Sequence, residues 1–401
     1  MAVTGVGAIC AVGHDAREFA AALARGADGI RPIAGFDTSC YSNHLGTEVV
    51  GFDPAAYAVI LPGLERYDRA VQLALVAAHE ALAGAGLLGP PAAPDEAGVV
   101  VATSLGGALA LEEYVAQAAA AQRPDPELLI RLPQSTVAGA LASHFGFSGE
   151  CATIASACAA GTNAVGYAFD LIRYGHLRRV LVGGVDPFTR LSFSGFHALR
   201  SLSRDGCRPF SEDRDGLVIG EGASFCVLED LEDARERRAT LYAEVLGYGI
   251  SNDCYHTTTP HPEGDGAVRS MLVGLEDAGI GPDDIDYVNA HGTATPANDP
   301  MEVKALERVF GGRARPLPVS SIKSMIGHGL GAAGSLEFAA CLIALREGVM
   351  PPTLGCTKPI AGGWIDFLPR PRRAKIDTVM SSSFAFAGNT AVVVAGRPRE
   401  T

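Results

Sequence analysis

Two segments of the chain, 173 positions apart, carry the same pattern of small and charged residues. One begins at Cys158 and reads CAAGTNAVGYAFDLIRYG, and the other begins at Gly331 and reads GAAGSLEFAACLIALREG. Several pairs coincide at this single offset: Ala159 with Ala332, Ala160 with Ala333, Gly161 with Gly334, Arg173 with Arg346 and Gly175 with Gly348. A repeat of this length indicates a duplicated domain rather than a solenoid of short units. We therefore expect two related halves, residues 1–238 and 239–401, with a functional site where they meet.

The predicted boundary lies at the end of the charged stretch Glu229–Arg238, which we expect to be the most solvent-exposed segment. On both sides of it, short β-branched runs alternate with Ala-rich helical patterns. This order is typical of an α/β fold with a mainly internal sheet. The first residues, MAVTGVGAICAVG, predict a buried strand followed by a Gly-rich turn. Further strands are predicted at Val99–Ala102, Val180–Val182, Tyr287–Ala290 and Ala391–Ala395, and helices at Arg69–Leu82 and Gly334–Leu345.

Composition narrows the classes of function. Of the 401 residues, 48% are apolar and 19% are charged, and the formal net charge is −13. The negative sign argues against a general binder of nucleic acid or of anionic membranes, because both need a cationic face. No uncharged apolar run reaches the roughly 18 residues of a membrane helix, and the N-terminus lacks the basic residues of a signal peptide. We expect a cytoplasmic protein.

The nine cysteines are widely spaced and form no C-x-x-C pair. An odd count without paired spacings argues against both a zinc site and a secreted disulfide framework. We expect free thiols in a reducing compartment, most of them packed as small buried hydrophobes.

Cys158 differs from the other cysteines in its position. It follows a short apolar run and precedes a helix of small residues. A thiol at a helix N-terminus lies at the positive end of the helix dipole, which favours the thiolate, and the free N–H groups there can hold a developing oxyanion. The alternative is a buried structural cysteine. The strand–turn–helix position favours a nucleophile.

Two histidines occupy comparable positions. His291 follows the predicted strand Tyr287–Ala290, at the kind of strand end where catalytic residues of α/β sheets emerge, and His328 precedes the helix of the second half. One cysteine and two histidines in such places indicate covalent catalysis. His256 and His261 lie in a Thr/Pro-rich loop with no acidic or cysteine companion, so no metal site is predicted there.

Several long motifs, in order along nearly the whole chain, resemble the β-ketoacyl-acyl-carrier-protein synthases, condensing enzymes of the thiolase superfamily. The resemblance implies a thiolase-like fold of two pseudo-symmetric halves in α-β-α-β-α layers. Its most specific pieces are the Cys158 segment, RPF at 208–210, RDGLV at 214–218, GEG at 220–222, HGTATP at 291–296 and KSMIGHGLGAAG at 323–334.

The resemblance also implies a reaction, a decarboxylative Claisen condensation. Cys158 would carry the acyl chain as a thioester, and His291 and His328 would polarise the malonyl thioester and stabilise its enolate. Lys323 and Glu337 resemble the charged pair that supports the histidines. An ordinary buried ion pair is the alternative for those two residues, and both interpretations can hold together. No metal, nucleotide or redox cofactor is implied.

The same resemblance assigns the remaining site residues. The N–H groups of Cys158 and Phe386 would hold an oxyanion, Phe384 and Phe386 belong to a gating loop, and Thr293 and Thr295 match hydroxyls that contact the pantetheine arm. This chain departs from the family's gate by having Ala385 and Ala387 in place of two glycines. Alanine resists positive φ, so we expect the loop to move differently. The stretch 123–133 also departs, which bears on the substrate more than on the reaction.

The implied partner is acyl carrier protein, in its acyl- and malonyl-loaded forms. Carrier proteins of this class are acidic, so Arg66, Arg69 and Arg200, in segments resembling the docking surface, are candidate contacts; scattered solvated charges are the alternative. A dimer is expected, either with an identical chain or with a nucleophile-less, chain-length-factor-like sister. A second interpretation makes this chain such a non-elongating subunit, but Cys158 favours the enzyme. Fatty-acid and polyketide or polyene substrates both stay open.

Overall fold

Strands and helices alternate along the computed structural model, which describes residues 1–89, 91 and 93–399. The predicted strands fall within β1, β4, β6, β9 and β15 (Tyr287–Ala290 runs one residue past β9), and the predicted helices within α2 and α12. The strands are β1 Ala2–Cys10, β2 Arg31–Pro32, β3 Leu45–Gly46, β4 Ala97–Ala102, β5 Cys151–Ile154, β6 Arg179–Asp186, β7 Gly222–Glu229, β8 Ala243–Asn252, β9 Tyr287–Asn289, β10 Leu317–Ser320, β11 Val349–Met350, β12 Ile365–Asp366, β13 Arg372–Arg373, β14 Thr378–Phe384 and β15 Asn389–Gly396. The helices are α1 Ala16–Arg25, α2 Arg69–Ala85, α3 Ala108–Ala119, α4 Glu127–Arg131, α5 Ser135–Phe145, α6 Ala160–Arg173, α7 Arg190–Ala198, α8 Leu231–Glu236, α9 Asp265–Ala278, α10 Asn298–Phe310, α11 Lys323–Ile326 and α12 Ala333–Glu347.

When β12 at one edge is left out, the main sheet has five strands on each side of its centre, and they follow the same order outwards in both directions. The order is β12-β10-β9-β14-β15-β8-β1-β7-β6-β4-β5, with the two halves joined where β1 pairs with β8. In each half the first strand pairs antiparallel with the fifth, the fifth antiparallel with the fourth, and the remaining strands pair in parallel. The halves therefore share one topology, as the sequence repeat predicts.

Helices pack on both faces of each half-sheet. α2 and α5 cover the outer face of the first half, α9 covers that of the second with α10 against it, and α6 and α12 lie between the two half-sheets and touch strands of both. The central position explains why α12 is buried almost all round and why its sequence shows no polar face. The result is the expected α-β-α-β-α layering.

The two central helices start alike and cross at their starts. A 3-10 turn at 157–159 precedes α6 and another at 330–332 precedes α12, so both turns and both helix starts are separated by the repeat's offset of 173. A Cβ on Gly161 would lie 2.4 Å from the backbone N of Ser335, and a Cβ on Gly334 would lie 2.4 Å from the hydroxyl of Thr162. The paired glycines thus permit the close approach that brings the two helix N-termini together.

The charged stretch Glu229–Arg238 is less exposed than predicted. Glu229 is the last residue of β7 and is fully buried, and its carboxylate accepts hydrogen bonds from Thr4, Arg179 and Arg237. A run of charges is therefore not necessarily solvated, because partners distant in sequence can neutralise it. The predicted division at 238/239 falls between α8 and β8 and stays a prediction.

Most of the cysteines are buried free thiols, as predicted. Six of the nine are buried, none is paired with another, and only Cys40, Cys151 and Cys254 are exposed. Among the helices of the described ranges, none is both long enough and apolar enough to cross a membrane.

Candidate active site

Cys158 lies at the bottom of a cavity of about 290 Å³ between the two halves. Its 3-10 turn follows β5 and leads directly into α6, and the residue before it, Ala157, has a left-handed φ of 51°. The cavity is lined by residues from both halves, among them Cys158, Phe196, Arg200, Leu217, Thr293, Thr295, His291, His328, Phe384 and Phe386. The structure thus brings the predicted nucleophile, both predicted histidines and the predicted gate residues to one place.

Two effects oppose each other at the Cys158 thiol. Burial raises the pKa of the thiol to about 11, although the ammonium of Lys323 acts in the opposite direction. The thiol is 7% exposed, and burial disfavours its charged form. The thiolate that the helix N-terminus favours stays a prediction.

The two histidine rings lie edge to face, with centroids 5.5 Å apart. The N–H of Leu330 donates to Nδ1 of His328 at 3.2 Å, and the Lys323 ammonium lies 3.4 Å from Nδ1 of His291. Both Nδ1 atoms face donors, so each neutral ring carries its proton on Nε2. Burial, together with the charge of Lys323, lowers the pKa of both rings well below 6.5. The pair therefore offers two neutral N–H donors to a group in the cavity.

Lys323 and Glu337 form a buried ion pair beneath His291. Nζ of Lys323 also donates to the carbonyl oxygen of His291 at 2.6 Å, and Ser383 donates to Glu337 at 3.5 Å. Burial raises the pKa of the Glu337 carboxyl to about 7, against the opposing charge of Lys323. Three hydrogen-bonded elements, α11, α12 and β14, thus fix the orientation of His291.

The gating loop differs from expectation in its backbone. Ala387 adopts φ 60° rather than resisting it, and its N–H donates to Thr257 O at 2.8 Å while Asn252 donates to its carbonyl oxygen at 2.9 Å. A non-Gly residue in this region costs about 1–2 kcal/mol, which the hydrogen bonds offset. The ring of Phe386 stacks on Phe196 at 5.8 Å, and the ring of Phe384 meets the edge of His291. Phe384 and Phe386 of this loop therefore line the cavity.

Donors suited to an oxyanion are present on both sides of the thiol. In the part of the chain that the structure describes, the backbone N–H groups of Cys158 and Phe386 donate to no other residue. The hydroxyls of Thr293 and Thr295 lie 2.9 Å apart on the cavity wall. The site thus combines a thiol, backbone amide groups and hydroxyls.

Two buried carboxylates that support the site were missed from the sequence. Glu302 of α10 accepts the N–H groups of His291 and Gly292, each at 2.7 Å, and burial raises its pKa to about 7. Asp186 at the end of β6 accepts from Leu105 at 2.8 Å and from Gly331 at 2.6 Å. Asp186 lies four residues past the predicted strand Val180–Val182 and had no signal of its own, whereas Glu302 had only its place as an acidic residue in the first turns after HGTATP.

The predicted docking arginines divide into two kinds. Arg66 is exposed, with 84% of its side chain accessible, and Arg200 lies at the rim of the cavity. Arg69, however, pairs with buried Glu221 through two hydrogen bonds at 2.8 and 2.6 Å and also donates to Val49 O. Docking by Arg69 stays a prediction, and its guanidinium already neutralises a buried carboxylate while its side chain is 30% exposed.

In the loop with His256 and His261, the histidine rings accept hydrogen bonds from nearby backbone N–H groups. Nδ1 of His256 accepts from the backbone N–H groups of Thr258 and Thr259. Over residues 1–89, 91 and 93–399, no three His, Cys, Asp or Glu side chains are grouped so as to hold a metal ion.

Comparisons with known proteins agree with this geometry. The family model "Beta-ketoacyl synthase, N-terminal domain" matches residues 1–234, and "Beta-ketoacyl synthase, C-terminal domain" matches residues 242–357. The chain is 38% identical to the 3-oxoacyl-[acyl-carrier-protein] synthase 2 of Coxiella burnetii, covering 98% of both chains. Among solved structures it is similar to the ishigamide ketosynthase/chain length factor (TM-score 0.91, 36% identity, 99% of both chains). It is also similar to a type II PKS ketosynthase solved in complex with its acyl-carrier protein (TM-score 0.89, 29% identity, 99% of both chains).

Proposed function

The chain belongs to the beta-ketoacyl synthase family, and on that premise we propose how its two halves divide the condensation. It is an acyltransferase of the 3-oxoacyl-[acyl-carrier-protein] synthase type, a condensing enzyme of fatty-acid or polyketide synthesis. In the proposal, residues 1–238 supply the nucleophile and residues 239–401 supply the residues that act on malonyl thioester. The convergence of Cys158, His291 and His328 in one cavity is the observation that carries it.

The first step is acyl transfer to Cys158. Sγ attacks the thioester carbon of the acyl carrier protein, a new C–S bond forms at Cys158, and the old C–S bond breaks. The thiol proton leaves with the carrier's pantetheine sulfur, so the step is neutral overall. During the attack, the carbonyl oxygen becomes an oxyanion, which the N–H groups of Cys158 and Phe386 stabilise. Because burial raises the pKa of the thiol, deprotonation and attack are coupled in this proposal.

The second step is loss of CO₂ from malonyl thioester. The Nε2–H groups of His291 and His328 donate to its carbonyl oxygen, and the electron pair of the departing C–CO₂ bond enters the enolate that they stabilise. Neutral rings suit this role, since they donate without needing protonation at neutral pH. The enolate carbon then attacks the Cys158 thioester, a C–C bond forms, and the cysteine sulfur leaves and regains a proton.

Lys323, Glu337 and the hydroxyls of Thr293 and Thr295 complete the site. Lys323 holds His291 in the tautomer with a proton on Nε2, and Glu337 holds Lys323. The threonine hydroxyls contact the amide groups of the pantetheine arm as it enters the cavity.

The malonyl and acyl groups arrive on an acyl carrier protein, and a similar type II PKS ketosynthase has been solved in complex with its acyl-carrier protein. Arg66 and Arg200 contact its acidic surface. The working unit is a dimer, either of two such chains or of this chain with a chain-length-factor-like sister, as in the related ketosynthase/chain length factor structure.

Charge reversal tests the docking assignment. Arg200→Glu or Arg66→Glu should raise KM for the acyl carrier protein about tenfold and leave a small thioester analogue unaffected, because only the protein surface carries the complementary charge. Steady-state kinetics with both substrates makes the comparison. Equal effects on the two substrates would contradict docking at these residues.

Intact-mass analysis after incubation with a panel of acyl carrier proteins tests the function. We expect an acyl adduct on the wild type that is absent from Cys158→Ser, and the chain length that loads best identifies the substrate. Absence of an adduct from every donor would overturn the proposal in favour of a non-elongating subunit.

A further inference from the structure

Asn163 and Tyr248 form a hydrogen-bonded pair of side chains next to the turn that carries Cys158, and neither takes part in the steps above. Asn163, in the first turn of α6, is 6% exposed. Its Nδ2 donates to Oγ of Ser156 at 2.7 Å, and its Oδ1 accepts from the hydroxyl of Tyr248 on β8 at 2.8 Å. Ser156 and Asn163 flank Cys158 in the chain, so their bond closes a loop around the thiol.

Tyr248 is fixed at both ends. Its backbone N–H donates to Asp277 at 2.9 Å, and its ring lies so close to α6 that a Cβ on Gly166 would be 2.2 Å from it. A glycine inside a helix is destabilising relative to alanine. The space at Gly166 is therefore what lets the hydroxyl of Tyr248 reach Asn163.

The turn that this pair holds is strained. Ala157, between Ser156 and Cys158, has φ 51°, and a strained conformation of this kind persists only where the surroundings determine it. The bond from Asn163 fixes the residue immediately before the strain. Release of Ser156 would free the turn to relax and carry Sγ away from the cavity.

In the second half, the position that corresponds to Asn163 carries no polar side chain. Leu330 there has φ 52°, but the position that matches Asn163 is Leu336, a fully buried apolar residue. The polar contact is therefore confined to the turn that carries the thiol and is not a requirement of the fold.

We propose that Asn163, oriented by Tyr248, is a positioning residue that aims Cys158 at the cavity through Ser156. The proposal rests on the proposed function, because it assigns acyl transfer to Cys158 and decarboxylation to the histidines. Loss of the contact should impair only the first step, and a displacement of about 1 Å at a reacting atom can cost about 10² in rate.

The test compares two partial reactions in Asn163→Ala. Acylation of Cys158, followed by intact mass in single turnover, should fall about 10²-fold, while release of CO₂ from malonyl carrier protein stays within about twofold. Asn163→Asp should restore most of the acylation rate, since a carboxyl group can satisfy both neighbouring hydroxyls. Tyr248→Phe, which removes one hydroxyl, should lower acylation about tenfold and keeps the proposal testable where the alanine variant is unstable.

Asn43→Ala is the matched control. Asn43 is equally buried at 6%, and its amide donates to the carbonyl oxygens of Leu202 and Ser203 rather than to the turn that carries the thiol. It should leave the ratio of the two rates unchanged. Equal loss of both rates in Asn163→Ala, no loss in either, or the same split in Asn43→Ala would overturn the positioning role. A wild type that is never acylated would instead overturn the proposed function on which it rests.

Discussion

The turn before α6 and the turn before α12 share one backbone conformation but carry different side chains. Each is a 3-10 turn that leads into a central helix, and each holds a left-handed non-Gly residue, Ala157 or Leu330, at the same point of the repeat. At the next position the first turn carries Cys158, whereas the second carries Gly331, whose N–H donates to Asp186.

This comparison distinguishes the features that build the cavity from the side chains that determine its chemistry. The shared features, glycine crossing and turn geometry, bring two helix N-termini to one cavity, and the unshared side chains decide what happens there. The second half places a buried ion pair beneath its histidine, while Ala164, the first-half counterpart of Glu337, is a buried alanine. The duplicated backbone thus supports a buried thiol on one side and a histidine held by a buried ion pair on the other.

The largest loss of stability is expected from Glu337→Ala, which gives the second half the alanine that the first half has at Ala164. Glu337→Ala leaves Lys323 buried without its counter-charge, and breaking a buried ion pair costs about 3–5 kcal/mol. Urea unfolding should show a loss of that size. The double variant Lys323→Met/Glu337→Leu should recover most of it, because no uncompensated charge is left. An intact stability in the single variant would show that the two turns do not differ electrostatically.

Substitution by alanine should cost more stability at position 331 than at the matched position 158. In Gly331→Ala the new atom would lie 2.5 Å from the N of Ser104 and 2.8 Å from Asp186, and overpacking of this kind costs about 1–3 kcal/mol. Cys158→Ala only shortens a side chain that borders a cavity and should cost less. Chemical denaturation of both variants provides the comparison, which fails if the two losses are equal.

The resting state of the thiol gives a pH dependence. With the pKa of Cys158 raised to about 11, the thiolate fraction rises tenfold per pH unit below that value. Alkylation of Cys158 by iodoacetamide, followed by peptide mass mapping, should therefore keep rising from pH 7 through pH 9. Peptide mapping separates this signal from the exposed Cys40, Cys151 and Cys254. A rate that levels off below pH 8 would mean that the helix N-terminus outweighs burial.

The smallest effect concerns backbone strain in the first turn. Ala157→Gly removes the Cβ from a residue at φ 51° and should raise the free energy of unfolding by up to about 1 kcal/mol, the relief being partly offset by the added freedom of the unfolded chain. Thermal or urea unfolding measures it. A loss greater than 1 kcal/mol would show that the turn is not strained.

Much of the fold and of the cavity could be predicted from the sequence because both leave local signals. The repeat identified both helix starts, and the residues around Cys158, His291 and His328 carry motifs. What could not be predicted depends on partners far away in the chain. Arg69 meets Glu221, 152 residues on, and Asp186 meets Gly331, 145 residues on, so no local pattern distinguishes them from surface charges. The left-handed Ala387 was also missed, because its hydrogen bonds come from the loop at 252–257.

In the proposed mechanism the first half performs acyl transfer and the second half performs decarboxylation. Measurement of both partial reactions in Cys158→Ala and in His328→Ala tests this division. Cys158→Ala should release CO₂ from malonyl carrier protein but take up no acyl group. His328→Ala should be acylated at a rate near that of the wild type while decarboxylation falls about 10²–10³-fold, the usual effect of removing one oxyanion donor. Loss of acylation in His328→Ala as complete as in Cys158→Ala would contradict this division of the reaction.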